Sequence, residues 1–165
     1  VANLNAACVA LASILGEWLG EGEVDYPTID GPRRYRQQIT IDHDGRPFLS
    51  HEARSWLLDA DGNVVRPAAR EVGWWRPQPD GTLEFLLAHS SGIVEIFYGG
   101  AIAENSWELR TETVVRTHAA KDVESALRRY VVTAGGLRVS EERAMVGQAL
   151  LPHTSSLLSL TNEPQ

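Results

Sequence analysis

Metal ligation is the chemistry that the residue types of this chain allow most directly. His153 closes the stretch Val146-Gly147-Gln148-Ala149-Leu150-Leu151-Pro152-His153, a lone imidazole after an apolar segment. A histidine there either faces a pocket as a ligand or fills a core, and by residue type alone the packed reading is the commoner one. His89 sits where a strand should end and a turn begin, which fits a structural hydrogen-bonding role. His43 and His51 lie in or after a polar turn, and no two histidines fall at i, i+4 on a helix, so neither is assigned a metal. Cys8 is the single cysteine, which excludes an internal disulfide and a cysteine-based zinc site and points to a reducing, cytoplasmic compartment.

A ligand histidine needs a frame, and the frame reads as strands. Leu4, Ala7, Leu11, Ile14 and Leu15 recur at three and four, the stripe of one short N-terminal helix placed as a cap. In Gly16 to Val24, a period of two sets Trp18, Gly20, Gly22 and Val24 on an inward face opposite Glu17, Leu19, Glu21 and Glu23. Two glycines on one face imply close backbone approach or a hollow plugged by Trp18; a bent, glycine-bearing edge strand satisfies the same pattern. Turn chemistry follows at Asp30-Gly31-Pro32, residues 42–45, 59–63, 77–81 and 90–92, and Ala134-Gly135-Gly136, so successive strands should be antiparallel. Trp107, Leu109, Thr111, Thr113 and Val115 alternate with Glu108, Arg110, Glu112, Val114 and Arg116, which predicts a half-solvated strand. Leu83 to Ala88 and Ile93 to Tyr98 carry apolar residues on both faces, which leaves room for a homodimer. The fold class is all-β: a closed antiparallel β-barrel of about ten strands with a short N-terminal helix, preferred over a two-sheet sandwich because closure removes the sheet edges.

Composition limits the partners. The chain has 165 residues, the size of one domain, taken as 1–165. Its formal charge of −7 sets 22 acidic against 15 basic residues, which excludes a protein built to neutralise phosphates, whether of nucleic acid or of an anionic membrane. No apolar run is long enough for a membrane-spanning helix, and the N-terminus lacks signal-peptide order; because the chain begins at Val1, removal of an upstream segment is allowed for.

Gly16-x-Trp18-x-Gly20-x-Gly22 resembles the GxWxGxG signature of the nitrobindins, haem-binding β-barrels with a lipocalin-like or fatty-acid-binding-protein-like fold. Further matches run in order through Tyr26-Pro27-Thr28-Ile29, Gly45-Arg46-Pro47-Phe48-Leu49, Ala88-His89-x-x-Gly92-Ile93-x-Glu95, Ala120-Lys121-x-Val123, and Val146-Gly147-Gln148 with Pro152-His153. The chain departs from the family pattern at Ala88-His89-Ser90-Ser91-Gly92, where Pro-Thr is usual, and at Ala149, where proline is usual. Both are loop positions away from the proposed ligand. The resemblance implies one haem b per chain with His153 as axial ligand of ferric iron, and Thr28 and Lys121 as further haem contacts, Lys121 suited to a propionate. It also implies isomerisation of peroxynitrite to nitrate, with the bond chemistry at the iron and shielding from an apolar barrel wall, and nitric oxide as a second ligand. Oxygen storage is not expected of a site without a distal hydrogen-bond donor. The rival reading from another class is a haem-free carrier of a small hydrophobic molecule, and only His153 and Lys121 separate the two. A structural interaction module has no motif of its own here.

Overall fold

The structure is a computed structural model, and it describes residues 2–162. Val1, and with it the expectation about an upstream segment, lies outside the described residues. After an N-terminal helix at Ala6–Ile14 come β1 (Gly16–Val24), β2 (Arg33–Asp42), β3 (Leu49–Leu58), β4 (Val64–Pro77) and β5 (Leu83–His89). The second half supplies β6 (Ile93–Ala103), β7 (Ser106–Arg116), β8 (Val123–Thr133), β9 (Gly136–Met145) and β10 (Leu151–Asn162). Each strand pairs antiparallel with its sequence neighbours and β10 returns to β1, so the ten strands close into the expected barrel.

The helix differs from its expected pattern in period. It is a 3₁₀ helix, and at three residues per turn its buried face is Cys8, Leu11 and Ile14, while Ala7 is exposed. Asn5 caps it by accepting from the Ala7 amide at 3.0 Å. It seals one end of the barrel, where Ile14 and Leu11 join Trp18, Ile39, Leu49, Trp75, Phe85, Phe97, Leu109 and Tyr130 in one apolar core. Trp18 is buried there and its indole donates to the Ile14 carbonyl at 2.8 Å, tying β1 to the helix C-terminus. Gly20 and Gly22 do mark close approach: a Cβ at Gly20 would lie 2.2 Å from the Leu157 carbonyl oxygen, and one at Gly22 would lie 2.8 Å from the Tyr35 ring.

The turns form where Asp and Gly placed them. Asp59 Oδ1 accepts from the amides of Asp61 and Asn63 (3.0 and 2.8 Å), and Gly62 takes the positive φ that this turn requires. The simple alternation of β7 fails. The β6–β7 register shifts between Ile96/Phe97 so that Thr113 and Thr111 are consecutive partners, and the extra residue, Glu112, forms a bulge. Past it the faces exchange: Val114 turns toward the core and Val115 becomes solvent-exposed.

Trp18→Ala should therefore cost about 3–5 kcal/mol, the range for truncating a large buried aromatic, with the helix loosened as well. Urea unfolding followed by tyrosine fluorescence and circular dichroism measures it; an unchanged midpoint would contradict the packing described.

Candidate haem site

The barrel interior changes character along its axis. The apolar plug at the helix end gives way at the waist to a ring of buried polar groups: His51, Glu71, Glu95, Arg128, Glu141, Arg143 and Ser156. Above it opens a cavity of about 450 Å³. The lining is mostly apolar, with Val24, Leu57, Ala68, Ile93, Val123 and Met145 beside the polar Gln37, Ser55 and Ser91, and the floor is Glu71, Arg128, Glu141 and Arg143. Strand periodicity creates this layering. In β9, Leu137, Val139, Glu141, Arg143 and Met145 are alternate residues facing in, so plug, waist and mouth each take one step of the same strand.

His153 reaches the cavity by an irregularity that alternation does not anticipate. The β9–β10 register shifts between Pro152/Thr154, so His153 is the unpaired residue of a bulge, and both His153 and Thr154 face the cavity although they are consecutive. The His153 carbonyl is occupied by the Asp25 amide at 3.0 Å. Its Nδ1 lies 3.3 Å from Glu141 Oε1, and the Tyr26 ring stands edge-on at 5.3 Å between centroids. Among the described residues, Nε2 has no hydrogen-bond partner, and it is the nitrogen left for a ligand. Lys121 lines the mouth and is exposed. Thr28 is exposed in the β1–β2 connection and is not among the residues that line the cavity. Met145 walls the cavity, and Leu150 and Leu151 do not line it.

The charged floor is the feature that sequence reasoning missed. Arg128 donates to Glu71 through two parallel bonds of 2.8 Å each and is ion-paired with Glu141, 2.6 Å from its Nε, a nitrogen that itself makes no hydrogen bond. Arg143 donates from Nε to Glu141 at 2.6 Å and from Nη2 to Glu95 at 3.1 Å. His89 stands at the cavity wall with Nε2 against Glu95 and Nδ1 3.5 Å from Glu71. His51 is not a loop residue: its ring is wholly buried in β3, accepting from the Trp75 indole at Nδ1 (3.2 Å) and so donating from Nε2 to Glu71 (3.1 Å). Alternating Glu and Arg in strands read as solvated faces; only the bulges and the closure of the sheet turn these particular ones inward.

Burial penalises every charge in this ring, and pairing decides the outcome. For Glu71, desolvation alone would raise the carboxyl, but the Arg128 charge and the His51 and Arg128 hydrogen bonds hold it well below its ordinary value of 4.5. Glu141 is likewise pushed up by burial and pulled further down by Arg128 and Arg143. Burial lowers His51 against the opposing pull of Glu71, so it stays neutral.

A closed barrel with one end plugged and the other opening on a cavity that presents an accessible imidazole defines a class, the barrels that sequester a prosthetic group or apolar ligand. The THAP4-like, heme-binding beta-barrel domain matches residues 7–159, and the chain belongs to that family. A ferric nitrobindin-like protein of Saccharopolyspora erythraea is 48% identical over 94% of this chain and 74% of its own length. A peroxynitrite isomerase of Streptomyces griseus is 48% identical over 87% of this chain and 78% of its own, and one of a Nocardioides species is 44% identical over 92% and 91%. The crystal structure of Rv2717c from M. tuberculosis superposes with a TM-score of 0.86 at 32% identity, covering 97% of this chain and 100% of that one.

The pH dependence of stability has a definite sign. His51, depressed below its ordinary 6.5, contributes stability that is present above that value and lost as pH falls; Glu71 and Glu141, depressed below 4.5, add a second loss below that pH. The apo-protein's urea midpoint should be flat above about pH 7 and fall in two stages toward pH 3, the second the steeper. Glu71→Gln should cost about 3–5 kcal/mol at neutral pH by leaving Arg128 half-paired, and should flatten the acid limb.

Proposed function

We propose that this chain is a haem-dependent peroxynitrite isomerase that converts peroxynitrite to nitrate, with His153 as the single protein ligand of the iron. The observation that carries this reading is the position of His153, an imidazole bulged into the cavity wall with Nδ1 bound to a carboxylate and Nε2 free. The names of the 42–48% identical relatives, peroxynitrite isomerase and ferric nitrobindin-like protein, support the activity.

The residues fit the group. Apolar walls suit a porphyrin, and the floor tells which way its propionates face. The floor carboxylates Glu71 and Glu141 stand against the guanidinium groups of Arg128 and Arg143, and Arg143 pairs with Glu95 as well, so a propionate at depth would find both cations already ion-paired. The mouth offers Lys121 instead, an exposed cation able to pair with a propionate in water. The same ledger counts against a fatty-acid carrier, since an anionic headgroup would find no free cation on the floor. Thr28 is assigned to the haem as a contact at the rim, on the family resemblance alone.

Haem, when bound, would supply the iron chemistry by which the anion's O–O bond breaks and the N–O bond of nitrate forms. The chain's own residues hold and shield. His153 anchors from one side, the mostly apolar lining excludes water from the reacting anion, and Tyr26 and Glu141 limit rotation of the imidazole. No side chain need take a proton, because substrate and product have the same composition and charge. Nitric oxide is a second ligand of the same iron.

Two further features belong to this reading. Two copies pair through the outer face of β4–β7, where Val72, Trp74, Val94, Tyr98 and Val115 are exposed together. The compartment is the cytoplasm, where the lone Cys8 thiol, buried under the helix, stays reduced; no described helix is long and apolar enough to cross a membrane.

Haemin titrated into the apo-protein should give an intense Soret band at one equivalent, and rapid mixing with peroxynitrite should raise the nitrate share of the products. His153→Ala should lose both while its melting temperature stays within a few degrees, and added imidazole should restore part of the spectrum. An unchanged Soret position in that variant would place the iron on another ligand. For pairing, light scattering should read a dimer that Trp74→Glu converts to monomer; a monomeric wild type would refute it.

A further inference from the structure

His153 is oriented by something, and the carboxylate beside it is unusual. Glu141 is 7% exposed at its side chain; it accepts from Arg143 Nε at 2.6 Å and is ion-paired with Arg128, whose Nε lies 2.6 Å away without forming a hydrogen bond. Its bond to His153 is longer, 3.3 Å. Short charge-assisted bonds are the strong ones, so the arginines hold most of the carboxylate's charge and the imidazole the lesser share. Backbone pairing fixes the arrangement: Glu141 lies opposite Thr154 across β9–β10, and the bulge sets His153 next to it. Tyr26 closes the other side. Its hydroxyl donates to the Arg143 carbonyl at 2.8 Å and accepts from the Met145 amide at 3.2 Å, so the ring packed edge-on against His153 is bolted to β9, the strand that carries Glu141.

We propose that Glu141 is the positioning residue of the haem ligand: it fixes His153 as the Nδ1–H tautomer with Nε2 turned to the cavity, while Arg128 and Arg143 neutralise it enough that the ring keeps its proton. This rests on the assignment of His153 to the iron. A carboxylate that accepts from a ligand histidine raises the ligand's basicity, and a free one draws the proton far enough to give the ring imidazolate character. Here Arg143 competes directly for Oε1, the atom that faces His153, while the Arg128 charge lies against Oε2. The device sets orientation and tautomer and caps the electron donation to ferric iron. Its inputs are separable, because removing the carboxylate and removing an arginine act on His153 in opposite directions.

The test uses that opposition. In the haem-free protein at pH 8, ¹⁵N-resolved NMR of the His153 ring should report the Nδ1–H tautomer in the wild type and a mixture shifted toward Nε2–H in Glu141→Gln. In the haem-loaded protein, Glu141→Gln should lower the ratio of ferric to ferrous affinity about tenfold, an upward shift of the midpoint potential of about 59 mV, with a lower iron–histidine stretching frequency by resonance Raman. Arg143→Gln, which frees Glu141 from one of its two cations, should move both readings the other way. A merely structural role would move the two variants in the same direction or in neither, and either result overturns the proposal, as does an Nε2–H ring in the haem-free wild type. If Glu141→Gln fails to fold, the wild-type tautomer and Arg143→Gln still decide. Loss of the ligand assignment itself would appear separately, as a Soret band untouched by His153→Ala.

Discussion

Five ionised side chains share the waist of this barrel, and the rest of the interior is arranged around the need to keep them paired. A carboxylate or guanidinium in such a place costs several kcal/mol in lost hydration, which only close opposite charge and complete hydrogen bonding recover. Arg128 spans Glu71 and Glu141, and Arg143 spans Glu141 and Glu95, so each arginine bridges two carboxylates from different strands. The four strands concerned, β4, β6, β8 and β9, are thereby linked through the interior as well as through their ladders. Hydrophobic packing holds the closed end and electrostatics the middle, which leaves the open end free of structural duty and available for a large ligand.

The charged ring also divides the ligand's environment into unlike halves. The lining combines Val, Ile, Leu, Ala and Met with a few polar residues such as Gln37, Ser55 and Ser91; at the floor the field is set by ion-paired fixed charges. An uncharged, flat group with its anions at one edge suits such a vessel when that edge faces the mouth. An anionic headgroup at depth does not. Pairing with carboxylates neutralises the interior arginines, with no change to the barrel itself. The same neutralisation keeps Glu141 ionised beside His153 without making it a strong base.

Bulges, more than strands, bring the site together. At Glu112 the extra residue exchanges the faces of β7 and turns Val115 outward. Between Pro152 and Thr154 it lets two consecutive side chains face inward and so delivers His153 to the cavity. A further shift between Val123 and Ser125 sets Ala126, Arg128 and Tyr130 as the inward residues of β8.

Most of the architecture was legible in the sequence, for local reasons. Asp-Gly turns, two-residue alternation and the paired glycines of Gly20 and Gly22 are short-range signals, and they suffice to give antiparallel strands, a closed barrel and a Trp18 plug. The motif residues around His153 likewise singled out a histidine that lines the cavity. What the sequence left open depends on partners distant along the chain. Glu71 and Arg128 are 57 residues apart, and Arg143 and Glu95 are 48 apart; in each strand these residues read as ordinary surface charges. His51 read as the residue after a turn because nothing nearby in sequence announces Glu71 and Trp75 as its partners. Bulges were invisible for a related reason, since a one-residue slip depends on which strand lies alongside. Periodicity fixes the faces of a strand only relative to itself, and the closed sheet decides which of those faces is inside.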